Sequence, residues 1–167
     1  MMRPALLLFL LASPLSAWAA GFAAVDGVVS HVDPKNLSGS ADIGAIQFRF
    51  GSALNSEATL GMEFRAGLGF GRERSNGVRY EMDRYFGAYL RGQFPANLVV
   101  RPYGLIGVSR IETTQNGSGE NYNDLSLGLG ADYNVNETVF VSLEYLRAAD
   151  RSKAEVSNFS LGVGARF

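Results

Sequence analysis

From Ala58 to Gly71 the chain alternates without a break. Ala58, Leu60, Met62, Phe64, Ala66, Leu68 and Phe70 are apolar; Thr59, Gly61, Glu63, Arg65, Gly67, Gly69 and Gly71 fill every place between them. Successive side chains of a strand point to opposite faces, so this segment reads as a strand with one greasy face and one face of glycines and charges. A soluble strand typically runs about five or six residues. An alternation of fourteen residues suits a tilted strand that crosses a bilayer in about 9–11 residues and projects into water at its ends.

Seven further segments alternate in the same way. The first, 22–32, is weakly patterned, with Ala23, Val25 and Val29 on one parity. The second, 42–50, sets Ile46, Phe48 and Phe50 against Ala45, Gln47 and Arg49. In the fourth, 82–94, Phe86, Ala88, Leu90 and Phe94 oppose Tyr85, Gly87, Tyr89, Arg91 and Gln93. The fifth, 99–112, carries apolar residues on both parities, and its faces stay unassigned. The sixth, 122–133, points Leu125, Leu127, Leu129, Ala131 and Tyr133 opposite Ser126, Gly128, Gly130 and Asp132. The seventh, 138–147, places Val139, Val141, Leu143 and Tyr145 against Ser142 and Glu144. The last, 158–167, alternates Phe159, Leu161, Val163, Ala165 and Phe167 with Ser160, Gly162, Gly164 and Arg166, and ends on an aromatic residue.

The connections alternate between long polar loops (33–40, 72–81, 113–121, 148–156) and short turns. Short turns on one side and long loops on the other are the rhythm of a membrane barrel. The expected fold is all-β, an eight-stranded antiparallel up-and-down transmembrane β-barrel spanning residues 20–167. Residues 1–19 read as a signal peptide: Arg3 precedes the apolar run 5–12, and Ala17-Trp18-Ala19 supplies a cleavage site. After it no apolar stretch is long enough for a membrane helix, so any crossing is made by strands.

Composition narrows the function classes. The net charge of −1, with no basic patch, gives nucleic acid no handle. With no cysteine, neither a disulfide framework nor a thiolate metal site is available. The Gly67–Gly71 cluster is followed by neither a helix nor a lysine-serine pair, so it is no phosphate loop, and the acidic residues lack calcium-loop spacing. No catalytic, cofactor-binding or metal-ligating residue is assigned, and no cofactor is expected.

The apolar parity is assigned to lipid rather than to a soluble core. The opposite parity is crowded with glycine, which suits a narrow lumen that side chains nearly fill. It also holds charges of both signs: Arg49, Arg65, Arg91 and Arg166 against Glu63, Asp132 and Glu144. Enclosed charges must pair, so a lumen network blocking ion flow is expected. Phe50, Phe70, Phe94, Tyr133 and Phe167 fall near strand ends, where an aromatic girdle would sit.

With the signal segment, eight alternating strands and the closing run Phe159–Phe167 together, the chain resembles the small outer-membrane β-barrel family. That family includes the OmpA transmembrane domain, the OmpX/Ail group and opacity-type surface proteins. The resemblance implies an outer membrane protein of a Gram-negative bacterium, monomeric, with a structural or surface-interaction role of the adhesion or resistance type. Implied partners are outer-membrane lipid and lipopolysaccharide, the assembly machinery through the C-terminal strand, and host or surface ligands through the outer loops. No periplasmic peptidoglycan-binding domain is expected after Phe167. A narrow porin-like channel is the alternative; eight strands enclose little space. A lipid A-modifying enzyme is the remaining reading. The deacylase barrels use a His-x-Ser pair, whereas His31 is followed at that spacing by Asp33, so an enzyme is not expected.

Overall fold

Every alternating segment becomes a strand of one closed antiparallel sheet in the computed structural model. It describes residues 20–34, 41–70, 72–75, 78–95, 97–115, 118–150 and 154–167, with side chains described for 20–31, 42–70, 84–95, 97–110, 112, 123–147 and 156–167. The signal segment 1–19 and Gly71 lie outside the described residues. The strands are β1 (Gly21–Pro34), β2 (Ala41–Ala53), β3 (Leu60–Phe70), β4 (Arg72–Ser75), β5 (Val78–Gln93), β6 (Val100–Gln115), β7 (Ser118–Asn134), β8 (Val139–Asp150) and β9 (Ala154–Arg166). Each pairs with its chain neighbour, and β1 closes on β9 from Phe22↔Arg166 to Pro34↔Ala154. β3 and β4 lie end to end along β5, so nine segments fill eight positions. Closure of β1 on β9 and of β3 on β5 pairs the middle of the sheet all the way round, the condition for a sheet to sit in lipid.

The turns at 54–59 and 135–138 and the described residues 94–95 and 97–99 share one end with residues 21 and 167, called here the turn end. Two turns are locked by asparagine carboxamides. Asn55 Oδ1 accepts the backbone N–H groups of Thr59 and Leu60, each at 3.0 Å. Asn136 Oδ1 accepts those of Thr138 and Val139 at 2.9 and 2.6 Å. Asparagine suits these places because its side chain stands in for a backbone acceptor.

The opposite, hairpin end differs from the sequence reading. Three of the four long loops are largely β-hairpins: β4 pairs with β5 to Ser75↔Val78, β6 with β7 to Gln115↔Ser118, and β8 with β9 to Asp150↔Glu155. Alternation reveals a strand only where one face is greasy. Past the lipid both faces meet water, and strand pairing continues without that signature. The loop 35–40 lies outside the described residues.

Two further corrections concern faces. Ala58, expected to begin the third lipid face, sits in the turn with φ of 51°. Its strand starts at Leu60, and its carbonyl accepts hydrogen bonds from Gln93 Nε2 and Arg101 Nη2 at 2.7 and 3.3 Å. The unassigned faces of β6 resolve with Arg101, Tyr103, Leu105 and Ser109 buried inside and Val100, Ile106 and Val108 outside. Tyr103 and Leu105 are apolar yet inward, which is why parity alone gave no answer there.

The remaining face assignments match the structure wherever side chains are described. Leu60, Met62, Phe64, Leu68 and Phe70 are exposed on the outer wall, as are Leu125, Leu127, Leu129, Phe159, Leu161 and Val163. An apolar belt of this extent needs lipid, not water, as its solvent. Phe50, Phe94, Tyr133 and Phe167 ring it toward the turn end, and Phe70 lies toward the hairpin end; all five face outward. On the hairpin side the belt stops at outward polar residues: His31, Asp42, Arg84, Arg110, Asn123 and Arg147.

Candidate functional site

The inward parity converges on a packed, charged lumen. Asp26, Glu63, Asp132 and Glu144 are each at most 2% exposed, and Arg49, Arg65, Arg91 and Arg101 at most 3%. Arg49, Arg65 and Arg91 meet the four carboxylates, while Arg101 donates to the Phe94 and Ala58 carbonyl oxygens; the buried cations and anions are equal in number. That balance allows ions to be held where water is scarce.

The pairs form a continuous chain across the barrel. Arg49 grips Asp26 with two parallel bonds, Nε to Oδ2 at 2.7 Å and Nη2 to Oδ1 at 2.8 Å. Gln47 Nε2 donates to the same carboxylate at 3.0 Å. Arg65 forks onto Glu144 at 2.5 and 2.7 Å and reaches Glu63 through Nε at 2.7 Å. Arg91 joins Glu63 at 2.9 Å to Asp132 at 2.7 Å. Bidentate arginine–carboxylate contacts fix direction as well as charge. Each of these arginines spans strands far apart in the chain, so the network ties opposite walls together.

Aromatic side chains and hydroxyls close the space around the ions. Toward the turn end Phe22 and Phe140 meet edge to face at 5.8 Å, with Arg166 over Phe140 and Arg91 over Phe22. Arg91 also stacks 3.5 Å from the centre of Tyr103, whose hydroxyl donates to Glu144 at 2.8 Å. Arg166 completes this layer through Asp132 at 2.9 Å and Asn134 at 2.6 Å. Toward the hairpin end the hydroxyls of Tyr85 and Tyr89 meet, Tyr89 contacts Ser109 at 2.6 Å, and Ser109 contacts Ser126 at 2.6 Å. Ile43, Leu105, Leu146 and Val156 pack with Tyr85, Tyr89 and Tyr103 in one buried apolar cluster.

The sequence-predicted network residues Arg49, Arg65, Arg91, Arg166, Glu63, Asp132 and Glu144 are all brought together. Asp26, Arg101 and Tyr103 were missed. Asp26 sits opposite Val25 and Val29 in the weakly patterned first strand, and a lone carboxylate on that parity was the available signal. Arg101 and Tyr103 belong to the strand of mixed parity. His31 faces outward at the hairpin end, its Nδ1 2.7 Å from Asp42 Oδ1, with its side chain 52% exposed. The side chain of Asp33 lies outside the described residues.

Lumen glycines make room for this network. A Cβ on Gly162 would overlap the Asp26 carboxylate and stand 2.6 Å from the Val25 carbonyl oxygen, a backbone atom that cannot swing away. Gly162→Ala is expected to destabilise the barrel by about 1–3 kcal/mol, the usual cost of overpacking. Gly27→Ala, outward and with only the Leu161 carbonyl oxygen nearby at 3.9 Å, should leave stability unchanged. The urea midpoint of the folded band on unboiled gels measures both; equal midpoints would refute the packing argument.

A family model described as the outer membrane protein beta-barrel domain matches residues 5–167. Among solved structures, the chain is similar to Ail, the attachment invasion locus protein of Yersinia pestis. The identity is 18% and the TM-score 0.66, covering 90% of this chain and 99% of Ail. It is similar to Neisserial surface protein A at 17% identity and TM-score 0.65, covering 89% and 99%. Ail in complex with the heparin analogue sucrose octasulfate gives 18% identity and TM-score 0.63, covering 89% and 99%. At these identities the likeness shows the fold. None of the curated proteins matches the chain.

Proposed function

The chain belongs to the outer membrane protein β-barrel domain family, and on that premise we propose that it is a closed barrel with a structural and surface-contact role, neither a pore nor an enzyme. In this reading the turn end faces the periplasm, the hairpin end faces outward, and residues 1–19 are removed on export. The membrane is the bacterial outer membrane.

One observation carries the reading. A water-filled pore exposes the side chains that line it, yet Arg49 and Arg91 are 1% exposed and Glu63 is fully buried. The buried apolar cluster around Ile43, Leu105, Leu146 and Val156 supports the same reading, since hydrophobic constrictions exclude water and ions. With the lumen occupied, the barrel offers partners its outward hairpins. Their sequences hold Arg72, Arg74, Arg79, Arg151 and Lys153 beside Glu73, Glu81, Asp150 and Glu155. The similarity to Ail, solved with a heparin analogue, supports sulfated glycans as the ligand class to test first.

Purified protein in planar bilayers is expected to stay silent across voltage and salt, and a steady unitary conductance would overturn the closed-barrel reading. Replacing residues 72–81 and 148–156 by glycine-serine linkers should preserve the heat-modifiable folded band and reduce attachment of expressing cells to immobilised heparin. Attachment equal to that of the unaltered protein would overturn the surface-contact role.

A further inference from the structure

The lipid-facing wall is not uniformly clad. Gly92 on β5 and Gly104 on β6 are directly paired and face outward. A Cβ on Gly92 would meet nothing within 4 Å, and one on Gly104 would make only ordinary contact, with Leu129 Cδ2 at 3.7 Å and the Gly128 carbonyl oxygen at 3.9 Å. Their missing side chains leave a groove of about 560 Å³ across four strands. One cross-strand row, Gly92–Gly104–Leu129–Tyr145, forms its floor and end, and the next, Leu90–Ile106–Leu127–Arg147, its hairpin-side bank. A smaller depression of about 390 Å³ shares Gly92, Gly104 and Leu129 with it and passes Phe94 and Pro102 toward the turn end.

The two ends of this groove differ in chemistry. Gly92 is one residue from the end of β5 at the turn end, whereas Arg147 is three residues from the hairpin end of β8. The groove therefore climbs the wall obliquely, spanning about 14 Å over three inter-strand steps. Its lining is apolar until Tyr145 and Arg147. Arg147 stands on the boundary where outward side chains turn from apolar to polar around the barrel: Arg84, Arg110, Asn123, His31 and Asp42 mark the same edge. That edge is where a bilayer changes from acyl chain to headgroup, and an arginine there presents a fork that matches phosphate.

We propose that this groove is a lipid site: it seats one acyl chain of a phosphorylated outer-leaflet lipid between Gly92 and Leu129, with the Arg147 guanidinium on the lipid phosphate. The outer-leaflet assignment rests on the orientation proposed above; the site itself does not rest on the surface-contact role. Apolar shape supplies the seat for the chain, and the Arg147 cation at the mouth selects an anionic headgroup over a neutral one.

The test uses full-length mature protein in detergent micelles, with lipid A as probe and phosphatidylcholine as the neutral comparison, read by native mass spectrometry. Wild type is expected to retain one lipid A and to hold it at least ten-fold more strongly than phosphatidylcholine. Gly92→Leu fills open space on a lipid face, so the barrel should fold as well as wild type by the unboiled-gel shift while losing the adduct at least ten-fold. Arg147→Gln should cut lipid A retention to the phosphatidylcholine level. Lipid A held equally by wild type and both folded variants would overturn the site. So would dimers in place of the adduct, or equal retention of the two lipids by wild type. A barrel that conducts or fails to bind heparin, yet shows the predicted lipid pattern, would refute the proposed function and leave this inference standing.

Discussion

Glu63→Gln is expected to destabilise the barrel by about 3–5 kcal/mol, the range seen when one partner of a buried ion pair is removed. Glu63 is fully buried and bridges two arginines, accepting from Arg65 Nε at 2.7 Å through one oxygen and Arg91 Nη1 at 2.9 Å through the other. Arg49 Nη1 lies a further 3.9 Å away. Glutamine keeps the shape and loses the charge, so four buried arginines, Arg49, Arg65, Arg91 and Arg101, are left with three buried carboxylates, Asp26, Asp132 and Glu144. The unbalanced positive charge sits among buried side chains, where an unpaired ion is costly. The loss should appear as a lowered urea midpoint of the folded band in lipid vesicles. Glu63→Leu combined with Arg65→Met removes charges of opposite sign together and should recover part of that loss, because a pair replaced by apolar residues of similar size is often near neutral. A midpoint for Glu63→Gln within error of wild type would mean that the network is not what ties the walls together.

The second large effect concerns the other face. Leu161 lies near the middle of the outward run of β9, is 59% exposed, and is flanked across the sheet by Gly27 and Leu143. Leu161→Arg is expected to cost about 2–4 kcal/mol, the price of a cation at the bilayer midplane on a barrel's lipid face. The same substitution at Ser157, on the same parity but beside Arg147 near the hairpin edge, should cost about 0–1 kcal/mol because the penalty falls toward the interface. Reversible unfolding in vesicles of both variants reads the gradient. A Leu161→Arg variant as stable as wild type would show that this face does not meet lipid.

These two predictions differ in how much of their ground was visible in the sequence. The lipid face was legible almost completely, since period-two alternation is a local signal and Leu161, Phe64 and Leu127 each lie on it. The charges on the other parity could be grouped, because Glu63 and Arg65 share a face wherever the strand goes. Their partners could not be matched. Arg65 meets Glu144 across 79 residues, and Arg49 meets Asp26 across 23; both pairings follow from strand order, tilt and the space left by glycines such as Gly162. The hairpin extensions beyond Arg72, Thr113 and Ala148 were read as loops because a strand wetted on both faces has no hydrophobic period. β6 was ambiguous for the opposite reason, since Tyr103 and Leu105 pack inward while Ile106 and Val108 face lipid.

By itself the sequence determined the architecture: eight alternating segments, one face for lipid, one for a crowded lumen of balanced charge. Alternation can do this because the pleat assigns each residue to a side without reference to any other strand. Only the tertiary structure decided which ions pair, that the inward charges are buried, and that Gly92 and Gly104 meet to leave a groove ending at Arg147. Those properties depend on register between strands, which is set by closure of the whole sheet and not by any segment alone.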